Sequence, residues 1–76
     1  MMLYLVQAIG HVGYDCNAGF VVACGTSEEA RSICAAAASD EGSGLWLDPK
    51  ASMVRNIGEA IPGDGPGILL TDFRAG

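Results

Sequence analysis

Basic residues are scarce in this chain. Four Lys and Arg stand against nine Asp and Glu, for a formal net charge of −5. Arg31, Lys50, Arg55 and Arg74 are also scattered rather than clustered. Affinity for a phosphate backbone grows with the number of phosphates neutralised, so this balance argues against direct nucleic-acid binding. Cysteine is sparse and odd in number: Cys16, Cys24 and Cys34, with no C-x-x-C. That excludes a disulfide framework and predicts free thiols in a reducing compartment, the cytoplasm. No apolar run approaches the ~20 residues of a spanning helix. The apolar first dozen residues lack a basic leader and a small-residue cleavage site, so no signal peptide is expected. Aromatic residues make up 7%, and Ala supplies much of the 50% apolar share. The core must therefore be assembled from Leu, Ile, Val and a few rings.

What is present fits one globular domain. Seventy-six residues cannot enclose two cores, because so short a chain buries only about 60% of its unfolded surface. Met2 to Ile9 is apolar on both faces and predicts a central strand. Gly10 to Gly19 reads as a loop, and Phe20 to Cys24 as a second strand that Ala18 and Gly19 could join. Thr26-Ser27-Glu28-Glu29 announces a helix. Thr26 can cap it, Glu29 can reach back to the Thr26 amide, and both glutamates suit the positive end of the helix dipole. Ala30, Ile33, Cys34 and Ala37 form one inward stripe, while Glu28, Arg31, Ser32 and Ala35 are expected to face outward. The helix is expected to end near Ala38, before a Ser/Gly loop from Ser39 to Gly44.

Leu45-Trp46-Leu47 is a short apolar segment that fits either an added edge strand or a packed loop. Met53 to Ala60 alternates as a third strand, with Gly58 marking a bulge. A turn-rich connection from Ile61 to Pro66 leads to a last strand, Gly67 to Phe73, and a frayed end, Arg74-Ala75-Gly76. The expected fold is α+β. A four-stranded, mainly antiparallel sheet in β-β-α-β-β order carries one helix on one face. The other face would stay half exposed and open to a partner or a second copy of the chain.

The chemistry-bearing residues make weak constellations. His11, Asp15 and Cys16 share a loop and could in principle make an activated thiolate or part of a metal site. Catalytic partners usually converge from distant segments, and structural zinc wants four ligands in short-spaced pairs. A polar loop with one surface histidine is the better reading. The glycines at 10, 13, 63, 65 and 67 precede no helix and no Lys-Ser/Thr, so they are loop glycines rather than phosphate cradles. Glu28-Glu29 and Asp40-Glu41 are neighbours in sequence and do not face each other across a cleft, as glycosidase chemistry needs. No enzyme, cofactor or metal is expected.

The acids make a better epitope than an active site. Asp15, Glu28, Glu29, Asp40, Glu41 and Asp48 all fall in expected loops or at the helix start. They are candidates for one acidic rim, with Tyr14 and Trp46 as aromatic anchors of the kind enriched at interface hot spots. The plainer alternative is that the acids serve solubility and Trp46 caps the core.

Several segments taken together carry a likeness. They are Leu3-Tyr4-Leu5-Val6, Val12-Gly13-Tyr14-Asp15, Phe20-Val21-Val22-Ala23 and Ser27-Glu28-Glu29-Ala30-Arg31. Ile57-Gly58-Glu59-Ala60, Gly67-Ile68-Leu69-Leu70, Phe73 and Ala75-Gly76 complete the set. In this order the chain resembles a family of short bacteriophage and prophage proteins, some of them similar to anti-CRISPR proteins. The stretch from Ile33 to Gly44 departs from that pattern. The resemblance implies a phage accessory protein that inhibits a type I Cascade complex, such as one of type I-C, by occupying the basic DNA path of its Cas7-like subunit. It supplies no catalytic residues. Two other readings stand beside it. One is an oligomeric sponge that sequesters a small nucleotide immune signal; the other is a regulatory or structural phage protein. A monomer or weak homodimer is expected, with no membrane partner.

Overall fold

The computed structural model describes residues 1–63 and 65–75. Its elements are β1 (Met2–Ala8), β2 (Cys16–Cys24), α1 (Ser27–Ala36), α2 (Ser43–Leu47), β3 (Ser52–Glu59) and β4 (Gly67–Arg74). The four strands form one sheet in the order β3-β1-β2-β4, and every neighbouring pair is antiparallel. This is the expected α+β architecture with β1 central, and with one addition. Leu45-Trp46-Leu47 is neither strand nor loop but belongs to a second, short helix, so the order is β-β-α-α-β-β.

Alternation along the strands fixes the two faces. Tyr4 and Val6 of β1, Phe20, Val22 and Cys24 of β2, and the half-buried Val54 and Ile68 of β3 and β4 pack toward the helices. Ala30 and Cys34 of α1 and Trp46 of α2 close this core from above. The Phe20 and Trp46 rings meet edge to face, with centroids 5.0 Å apart at 75°. Such a pair adds about 0.5–1.5 kcal/mol beyond the area it buries. Cys24 and Cys34 lie wholly inside as free thiols.

Local chemistry sets the element ends. Thr26 is the N-cap of α1, and its hydroxyl accepts from the Glu29 amide at 3.1 Å. The Glu29 carboxylate returns to the Gly25 amide at 2.8 Å, one residue earlier than the expected Thr26 amide. The helix stops at Ala36, two residues short of the predicted end, with Ala37 as C-cap. β2 begins four residues before Phe20 because β4 continues through Arg74, which pairs with Cys16. Arg74 is therefore part of a strand rather than a frayed end. Positions 64 and 76, within the predicted turn and tail, lie outside the described residues. Opposite Leu3 and Tyr4, β3 passes from Gly58 to Asn56, so Ile57 is the bulged residue beside the glycine that marked the bulge.

Arg31 corrects the expected outward face of α1. It is half-buried, and its guanidinium donates to the Trp46 carbonyl (2.9 Å), the Ser52 hydroxyl (2.7 Å) and the Ser52 carbonyl (3.1 Å). The fully buried Ser52 hydroxyl in turn donates to the Leu45 carbonyl at 2.8 Å. One cation thus ties α1 to the end of α2 and the start of β3. Ala35 also turns inward, packing against the core, while Ala37 is exposed.

Candidate partner-binding surface

The two ends of β2 decide where the acids lie. A nine-residue strand separates its ends by about 26 Å at 3.3 Å per residue. Asp15 precedes the strand, and Glu28 and Glu29 follow it on the first turn of α1. The acids therefore do not make one rim. Asp15, Asp40 and Glu41 gather at the end where β2 begins, whereas Glu28 and Glu29 stand at the other.

Main-chain bonds hold the first group. The Asp15 amide donates to the Arg74 carbonyl, and the Asp15 carbonyl accepts from the Asp40 amide at 3.2 Å. Asp15 sits in the left-handed region at φ 58°, a conformation Asp tolerates better than most residues. Asp15 and Asp40 are exposed, and Tyr14 beside them is 77% exposed. Tyr14 is thus free to act as the anchor that the sequence offered. Asp48 is exposed as well, but it has local work: its carboxylate accepts from the Lys50 amide at 2.9 Å, and it is the C-cap of α2.

Two of the candidate residues are internal. Trp46 is fully buried against Phe20, so it is a core residue and not an exposed anchor. The Glu41 carboxylate is a structural clasp. One oxygen accepts from the Asn17 amide (3.0 Å) and the Ser39 amide (3.1 Å). The other accepts from the Asn17 side-chain amide (2.9 Å) and the Trp46 indole N–H (2.8 Å). Partial burial pushes the Glu41 carboxyl up, but these donors outweigh it and hold the pKa below its ordinary value of 4.5. Tyr14, Asp15 and Asp40 therefore remain as the exposed part of this surface, and Asp48 lies at the junction of α2 and β3. Glu28 and Glu29 are exposed but remote, and Glu29 is engaged in the cap.

The surroundings of Cys16 in the His11–Asp15–Cys16 loop do not favour a thiolate. Partial burial, followed by the charges of Glu41 and Asp40, raises the Cys16 thiol above its ordinary value. An activated cysteine needs the opposite environment. Burial pushes Cys34 up to about 12 and also raises Cys24. Among the described residues, no three His, Cys, Asp or Glu side chains gather as a metal site requires. No described helix is long and apolar enough to cross a membrane.

Two shallow depressions mark the surface. One, of about 140 Å³, is lined by His11, Val12, Gly13, Tyr14 and Arg74 beside the acidic end. The other, of about 150 Å³, lies on the helix-free face of the sheet, lined in part by Leu5, Gln7, Gly19, Val21, Leu70 and Asp72. Both fall below the roughly 300–1,000 Å³ of typical small-molecule sites. Comparison with known proteins gave no match: no family model, curated protein or solved structure matched the chain.

Proposed function

We propose that this protein is a stoichiometric, non-catalytic inhibitor that occupies a basic surface on a partner protein. The observation that carries the reading is the acidic end of the sheet. There Tyr14, Asp15 and Asp40 are exposed on loops that main-chain bonds fix to each other and to β4. An exposed tyrosine beside carboxylates carried on a fixed main chain suits a partner rich in Arg and Lys. The net charge of −5 steers the whole molecule toward such a surface. The resemblance to phage anti-CRISPR proteins makes the basic DNA path of a Cas7-like Cascade subunit the first partner to test. A nucleotide sponge is less well supported, because neither depression is large enough for a nucleotide and the basic residues are few.

The test is affinity capture of type I Cascade by the wild-type chain and by a D15K/D40K variant, at low and moderate salt. Capture that weakens with salt, and an on-rate at least about tenfold slower in the variant, are expected. An E28K variant, altered at the far end of the sheet, should bind nearly as well as wild type. Capture indifferent to salt and to D15K/D40K would remove the acidic surface as the contact. No capture of Cascade would remove that partner.

A further inference from the structure

The helix-free face of the sheet is apolar at its centre and charged at its rims. Directly opposite residues in antiparallel strands share a face. One row across all four strands is therefore Arg55–Leu5–Val21–Leu70, and the next is Met53–Gln7–Gly19–Asp72. Leu5 and Val21 are half-buried, while Leu70 is 64% and Met53 48% exposed. Near the other end of these strands the chain after β3 folds back, and Gly65 lies against Ala23 and Met1. Beyond that point nothing among the described residues covers the face. Arg55 stands on one edge strand and Asp72 on the other, both exposed.

We infer that this face pairs with the same face of a second copy of the chain, about a two-fold axis that runs parallel to the strands between β1 and β2. The charges select this arrangement. Stacked sheets lie about 10 Å apart with strands nearly aligned. An axis parallel to the strands exchanges the two edges. Arg55 of each copy then lies over the Leu70–Asp72 segment of the other, and two equivalent Arg55–Asp72 pairs flank an apolar centre of Leu5 and Val21. The same operation sets Gln7 of each copy over Gly19 of the other, where the missing side chain leaves the depression. An axis across the strands would instead stack like edges, β3 over β3 and β4 over β4, and so bring Arg55 toward Arg55 and Asp72 toward Asp72, which is unfavourable.

The area fits a weak dimer. Four strands about 4.8 Å apart, over about five residues at 3.3 Å, give roughly 320 Å² of projected face. Pairing would cover roughly 640 Å² of face on the two copies together, short of a stable interface and within the range of weak, transient association. This inference is independent of the acidic end, which lies outside the paired face.

Sedimentation velocity from about 10 µM to about 1 mM tests it. The expected result is a concentration-dependent shift from the 7.8 kDa monomer toward twice that mass. R55D and D72R alone should each raise the dissociation constant about tenfold or more, and the exchanged pair R55D/D72R should recover most of that loss. L70E should abolish pairing while keeping the wild-type far-ultraviolet circular dichroism. A monomer throughout the range overturns the proposal. A dimer unaffected by L70E places pairing on another surface and overturns it equally. Single charge variants that weaken the dimer without recovery in the exchanged pair overturn the proposed axis.

Discussion

The two faces of the sheet are made of similar side chains and have different surroundings. On one, Tyr4, Val6, Phe20 and Val22 lie beneath Trp46 and α1 and are nearly or wholly removed from water. On the other, Leu5, Val21, Met53 and Leu70 remain half-buried or exposed. Apolar character does not separate them. The difference lies in the polar fastening of the covering elements: α1 and α2 are held down by Arg31, Ser52 and Glu41, and among the described residues the second face has no such attachments. A sheet face is thus finished as core when charged and polar groups anchor something across it, and otherwise remains an apolar surface.

That contrast is sharpest for Trp46 and Leu70. Trp46→Ala removes the largest fully buried side chain and leaves Glu41 without one donor. It should cost about 3–5 kcal/mol, enough to unfold much of so small a domain. Leu70→Ala, measured by urea denaturation at low micromolar concentration, should change stability by less than about 0.5 kcal/mol. Equal losses would mean that the second face is as much core as the first.

Arg31→Ala comes next. It leaves the Trp46 and Ser52 carbonyls without their charged donor, at an expected cost of about 2–3 kcal/mol. Arg31→Lys should recover little, because an ammonium does not reproduce the planar fork that reaches three acceptors. Full recovery by Lys would reduce the attachment to charge alone.

A smaller loss than that of Arg31 is expected at Glu41, whose folded pKa lies below 4.5. A carboxyl depressed on folding stabilises the native state above its unfolded value, and the contribution is lost as pH falls through the folded value. Stability should therefore decline below about pH 4.5, with much of this part of the decline missing in Glu41→Gln. At neutral pH that variant should be destabilised by about 1–2 kcal/mol. An unchanged acid limb would show that other carboxylates govern it.

Much of the fold was legible because it rests on local patterns. Thr26-x-x-Glu29 gave the helix start, the two-sided apolar run of β1 gave its central place, and Gly58 pointed to the bulge. α2 was not legible, since five residues beginning Ser43-Gly44 have poor helix propensity and the segment is fixed by Trp46 entering the core. Arg31 was assigned outward because a helical wheel shows which side a residue occupies but not how far a long side chain reaches along the core edge. The surface was less legible than the fold. Asp40 and Glu41 are adjacent, yet Asp40 remains exposed and Glu41 turns inward, a choice made by Asn17 and Trp46 from distant parts of the chain. The single acidic rim failed for a simpler reason, because β2 holds its members apart.

The Glu41 clasp also bears on how the molecule can be cut and rejoined. By composition, Ser39 to Gly44 is the stretch into which a label or a permuted terminus would ordinarily be inserted. Glu41 makes it one of the poorer choices, since a junction there would loosen the carboxylate that joins Asn17 and Ser39 to Trp46. The exposed turn at Gly10, whose φ of 86° suits glycine and whose surroundings are open, is the better point of entry.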